Sequence, residues 1–123
     1  MTTGVVSTYL ADAIINHTLR NSSLATPGSS IYLALYTDAT AQDDDDSGTE
    51  VSGGAYTRMN VSGSGWSTPS SGSVANTFQV TYPRATGDWG NIRYVGIMDA
   101  STGGNLLFWG QFNSDKTITE FDT

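Results

Sequence analysis

The first apolar positions of the chain recur at helical spacing. Val6, Tyr9, Leu10, Ala13, Ile14 and His17 fall along one side of a helix, with Asp12 on its polar side and Arg20 in its last turn. Thr3 is placed to cap the N-terminus, and Asn21 and Pro27-Gly28 stop the run. The spacing thus predicts a helix over 1–21 and a linker over 22–30. One amphipathic helix cannot hide its apolar stripe by itself. It has to lie on a sheet or on a neighbouring subunit, which makes Val6, Tyr9, Leu10, Ile14 and His17 a candidate assembly face.

Further along, the period becomes two. Ile31–Thr37, Tyr56–Val61, Thr77–Tyr82, Ile92–Met98, Leu106–Phe112 and Lys116–Phe121 read as strands. Thr102-Gly103-Gly104-Asn105 reads as the hairpin turn joining two of them, since paired glycines accept the positive φ that tight turns demand. Strands and helix together predict a mostly-β fold: an antiparallel, jelly-roll-like β-sandwich with one N-terminal amphipathic helix, a single domain over 1–123. Ile31–Thr37, Ile92–Met98 and Leu106–Phe112 are apolar on both faces, where an isolated sandwich needs only one. Either the helix and long loops cover the second face, or another subunit does.

Composition narrows the function. Only 14% of the 123 residues are charged, and Gly, Ser, Thr and Asn take their place, as in short strands joined by turns. Twelve acidic residues against five basic ones give a net charge of −7, which speaks against nucleic acid and against an anionic membrane surface as partners. Cysteine is absent, removing disulfides, thiol catalysis and cysteine-held metals. No apolar stretch approaches the roughly 20 residues of a membrane span. The N-terminus lacks the basic start and apolar core of a signal peptide, so synthesis in a cytoplasm is expected.

Few residues offer chemistry. Asp43, Asp45, Ser47 and Gly48 match the opening of a calcium loop, but Gly54 stands where its bidentate Glu belongs. A weak ion site at Asp43, Asp45 and Ser47 therefore competes with a plain solvated acidic loop. His17 is the sole histidine and sits on the apolar stripe. No nucleophile-elbow motif surrounds any serine, and no carboxylate pair suggests glycoside hydrolysis. Neither a cofactor nor an enzymatic activity is expected. Trp109 alternates along a strand and reads as core, whereas Trp66 and Trp89 lie in loops as candidate surface aromatics for a sugar.

Two stretches carry a resemblance. One runs Glu50-Val51-Ser52-Gly53-Gly54-Ala55-Tyr56-Thr57-Arg58. The other runs Ala85-Thr86-Gly87-Asp88-Trp89-Gly90 and on through Tyr94–Ala100 to Thr102–Gly110. With the N-terminal helix and the IYLALYT strand, they make the chain similar to a family of short tailed-bacteriophage virion proteins often labelled tail fibre proteins. Similar proteins continue past Phe121-Asp122-Thr123 through a glycine turn into another strand. Either that strand is clipped from this sequence, or it is absent or supplied by another subunit. The resemblance implies a virion component made in the host bacterial cytoplasm, with the major capsid or tail proteins of the same virion as partners. A symmetric homo-oligomer such as a trimer is expected, because virion parts repeat. A fibre needs a long shaft, and no heptad or collagen-like period encodes one here. A capsid decoration (cement) subunit needs only a compact β-domain with a docking face, which fits better. A tail fibre or tail-tip component binding host carbohydrate is the alternative.

Overall fold

A computed structural model describes residues 5–24, 30–61, 66, 69–71 and 80–122. In chain order the elements are β1 (Val5–Val6), α1 (Thr8–Leu19), β2 (Tyr32–Thr37), β3 (Thr49–Glu50), β4 (Met59–Asn60), β5 (Gly90–Met98) and β6 (Leu106–Ile118). The six strands form one open sheet in the order β1-β6-β5-β2-β3, with β4 also pairing β2, and every pairing is antiparallel. The expected mostly antiparallel β-protein with one N-terminal helix is what forms. Among the described residues its strands make a single sheet, and loops, not a second sheet, cover the faces.

The helix starts later than its apolar spacing suggests. Ser7 is the N-cap: its Oγ accepts the Leu10 amide and donates to the Leu106 carbonyl, so a fully buried hydroxyl pins the helix start to β6. Thr3, expected in that role, lies outside the described residues. Val6, expected on the helix, is instead extended at the sheet edge opposite Phe108. The stop falls where it was read. Asn21 takes φ 56°, and the amides of Arg20 and Ser22 both reach back to the Asn16 carbonyl.

β2 pairs over its whole length with Ile92–Met98 of β5, Ala34 facing Gly96 and Leu35 facing Val95. Successive side chains of a strand point to opposite faces, so β2 feeds two cores. On one face Ala34, Tyr36, Tyr94, Met98 and Leu106 pack together with Trp109. On the other, Val51, Ala85, Trp89 and Ile92 pack with Leu35, Tyr56, Tyr82, Phe112 and Ile118. The double-sided apolar strands are thus largely covered from within the chain, by the segments around 42–46 on one face and 51–56 and 82–89 on the other. The helix rests against β6 and contributes no residue to either cluster.

A bulge decides which core each end of β5 enters. Tyr94 pairs with Gln111, yet Ile92 pairs with Lys116, so two steps along β5 answer five along β6. The slack in β6 bends the sheet and sends Ile92 and Tyr94 to opposite clusters, although strict alternation would keep them together. Leu106–Phe112 and Lys116–Phe121, read as two strands, are one strand ending at Ile118; a turn over Thr119–Asp122 follows, held by the Asp122 carboxylate on the Thr119 amide and hydroxyl. Of Tyr56–Val61 only Met59–Asn60 pairs as strand. In Thr77–Tyr82, residues 77–79 lie outside the described set and 80–82 have no strand pairing. The hairpin between β5 and β6 is as expected, with Gly103 and Gly104 at φ 61° and 77° and Asp99 holding the Asn105 amide.

Candidate assembly surface

The feature that sets this molecule apart is a helix with no buried residue. Tyr9, Ile14, Ile15 and Leu19 are exposed, Leu19 to 80%, and Leu24 just beyond the helix is exposed as well. Of the five residues read as an assembly face, Tyr9 and Ile14 are on this open surface. Leu10 is half-buried toward the sheet. His17 is exposed and its Nδ1 lies 3.0 Å from the Ser22 carbonyl, bracing the helix end. Val6 is exposed too, but as part of a patch at the sheet edge with Val5 and Phe108. Ile15 and Leu19 were missed because they fall outside the stripe that contains Leu10. Only the docking of α1 on β6 shows that the stripe's opposite side, not the stripe alone, is left open.

The acidic loop is bolted to the sheet. The Asp44 carboxylate accepts the Trp109 indole N–H at 2.7 Å, and Asp46 accepts the Gln42 amide at 2.9 Å and the Tyr36 hydroxyl at 3.2 Å. Asp43 turns inward on its own loop, accepting the amides of Asp45 and Ser47, and its contacts with Ser47 hold its carboxyl below the usual carboxylate range. Buried Gln42 receives the Gly48 amide and so closes the loop. Asp43, Asp45 and Ser47 are thus brought together around the Asp43 carboxylate as a turn. No three His, Asp or Glu side chains among the described residues converge as a group able to hold a metal.

A second network ties the other face. Arg58 reaches Glu50 through Nε and Nη2, both at 2.8 Å, and its Nη1 reaches the carbonyls of Ala100 and Gly103, both at 2.8 Å. Tyr56 donates to Glu50 at 2.6 Å and accepts the Leu35 amide. Burial would raise the Glu50 carboxyl, but the hydrogen bonds from Arg58 and Tyr56 and the guanidinium charge hold it below its ordinary value. Burial pushes the Tyr36, Tyr56 and Tyr82 hydroxyls well up, with the charges of Asp46 and Glu50 adding to it. All three stay neutral and act as wedges and donors. The network joins β3, the 53–58 segment and the β5–β6 hairpin. It is structural, and a forked cation in a chain with five basic residues was the signal that could have revealed it.

Trp89 corrects the surface-aromatic reading. It is 6% exposed, its indole N–H donates to the Gly54 carbonyl, and its ring stands edge-on to Tyr56 and Tyr82. Burying a large ring among aromatics outweighs its position in a loop. Trp66 is half-buried and donates to the Val61 carbonyl. The two do not form an open platform. Among the described residues, no helix is long and apolar enough to cross a membrane.

Apolar side chains thus stand open on α1 and at the sheet edge, alongside the exposed Asp12 and Arg20, while Asp44, Asp46, Glu50 and Trp89 are engaged in the packing of the domain. No curated protein matches the chain. Residues 5–123 match the sequence profile of the family described as "Podophage GP4 fiber I protein gp80", and the chain belongs to this family of phage structural proteins.

Proposed function

We propose that the chain is a non-enzymatic structural subunit of a podophage virion, held there by protein–protein contacts made through α1. The observation that carries this is the helix without a buried residue. Its exposed isoleucines and leucine would cost stability in an isolated protein and gain it in an assembly. Within the virion, capsid decoration fits the geometry: a small domain braced by the Arg58 and Asp44 contacts, with a helix for docking and no shaft among the described residues. Major capsid protein is then the partner, and symmetric repetition of the subunit follows from that of the shell. A fibre or tail-tip role is the second reading, favoured by the fibre description of the family. Gold-labelled antibody against this protein, imaged on intact particles, separates them. Gold over the head supports decoration; gold at the tail supports the fibre reading and refutes decoration.

A further inference from the structure

A cleft of about 320 Å³ opens between the 51–58 segment and the β5–β6 hairpin. The Glu50–Arg58 pair lines it together with Ser52, Thr57, Ser101 and Thr102, and among the described residues none of these four hydroxyls is used in a hydrogen bond. The ion pair has capacity to spare as well. A guanidinium carries five N–H donors, and Arg58 uses four, which leaves one on Nη2. Glu50 Oε2 accepts from both Tyr56 and Arg58, whereas Oε1 accepts from Arg58 alone and keeps a lone pair. Nη2 and Oε1 are bonded to each other at 2.8 Å, so the spare donor and the spare acceptor are neighbours. The backbone around the cleft is strained: Gly53, Gly54 and Ala55 follow one another at φ 77°, 58° and 67°, and Gly103 stands at 61° on the hairpin side. Ala55 has a Cβ that disfavours this conformation, and such strain concentrates at ligand clamps. A buried ion pair stabilises a fold no better than packed apolar residues, so bracing alone does not explain its choice here.

These groups select the chemistry of the ligand. Glu50 and Arg58 neutralise each other, so a phosphate would meet the carboxylate and a cation the guanidinium. The lining is rich in hydroxyls, which suits neither a lipid nor an apolar aromatic ligand. A sugar ring carries neighbouring hydroxyls, each able both to donate and to accept. We propose that this cleft binds a neutral saccharide, one ring hydroxyl donating to Glu50 Oε1 and the adjacent one accepting from Arg58 Nη2. The hydroxyls of Ser52, Thr57, Ser101 and Thr102 are available to the rest of the ring. The volume lies at the small end of the range for ligand pockets, about 300–1,000 Å³, and fits one sugar residue. A few net hydrogen bonds, with no exposed aromatic side chain in the lining to stack on, give a Kd on the order of 1 mM. Repetition of the subunit on a particle raises the avidity for a glycan that carries many copies of the sugar. The cleft shares no residue with α1, and the inference does not rest on α1 as the assembly surface.

An amide NMR titration of the purified chain with D-glucose, D-galactose, D-mannose and L-rhamnose, each up to roughly 50 mM, tests it. At least one sugar should shift the amides of 50–58 and 100–104 saturably and leave those of 43–48 and α1 in place. Ser101→Trp, at an exposed position, should fill the cleft and abolish the shifts. Thr57→Val combined with Thr102→Val removes two unused hydroxyls and should weaken binding about fivefold or more. Unchanged melting temperatures show that these variants are folded. Among mono-deoxy analogues of the bound sugar, those lacking either of two adjacent hydroxyls should bind about tenfold more weakly, since those hydroxyls meet charged groups. Equal affinity for all the analogues overturns the pairing with Glu50 and Arg58. No shift with any of the four sugars, binding that survives Ser101→Trp, or inorganic phosphate moving these amides where no sugar does each overturns the proposal. The methyl glycoside of the bound sugar separates the two sources. Unchanged affinity identifies one residue of a glycan chain, and lost affinity a free sugar, in either case at this cleft.

Discussion

Replacing Arg58 by methionine removes the centre of a network while keeping the length of the side chain. The Arg58 side chain is 7% exposed and its guanidinium makes four hydrogen bonds, two to Glu50 and two to hairpin carbonyls. Taking one partner from a buried ion pair costs about 3–5 kcal/mol, mostly because the remaining charge has lost its partner. Glu50 is 26% exposed, so water can reach it, and Tyr56 still donates to it. The lower end applies: about 3 kcal/mol out of a total stability of roughly 5–15. At about 2.1 cal/mol/K of unfolding entropy per residue, that is a fall in Tm of about 10 °C. Urea denaturation at constant m and a thermal melt by circular dichroism would measure it. Arg58→Lys should lose less, since it keeps the charge but not the fork. If Arg58→Met costs under about 1 kcal/mol, the pair is a passenger and the hairpin is held by its turn residues alone.

The same pair sets the acid limb of the stability curve. The folded Glu50 carboxyl titrates below its ordinary value of 4.5, so its contribution is present above that pH and is lost as pH falls through the folded value. Wild type should lose stability on that limb, and Arg58→Met should lose less. Gly54→Ala should cost about 2 kcal/mol or more by denaturant midpoint, as φ is 58° and the new Cβ would stand 2.8 Å from both the Gly87 carbonyl and the Trp89 indole nitrogen. Gly53→Ala, at φ 77° but in open space, should cost only about 1 kcal/mol, and equal losses would refute the clash. Trp109→Phe should cost about 1 kcal/mol and speed amide exchange across 43–48, because it frees Asp44 from the sheet; unchanged exchange would show that the loop is held by Gln42 and Tyr36 alone.

Much of the architecture was legible because it rests on local chemistry. Helical spacing and a stop at Asn21, the two-faced strand at Tyr32–Thr37, the strand at Ile92–Met98 and the Gly103-Gly104 turn depend on period and on permitted φ, which a short window contains. The acidic tract was visible as well, though not its use, since an Asp facing solvent and an Asp accepting an indole from 65 residues away look alike in a sequence.

Tertiary structure decided the rest through register. Ile92 and Tyr94 enter different cores because β6 carries extra residues in a bulge, which no alternation pattern records. Trp89 is buried because Tyr56 arrives from a distant segment to meet it beside Tyr82 of its own loop. Ser7, unremarkable in the sequence, is the cap because the Leu106 carbonyl comes within its reach. That single anchor orients α1. The amino-acid sequence determined that a helix with apolar residues would form; only its anchoring on β6 decided that Ile15 and Leu19 would face outward, because a helix shows its neighbours just one side and the contact selects which.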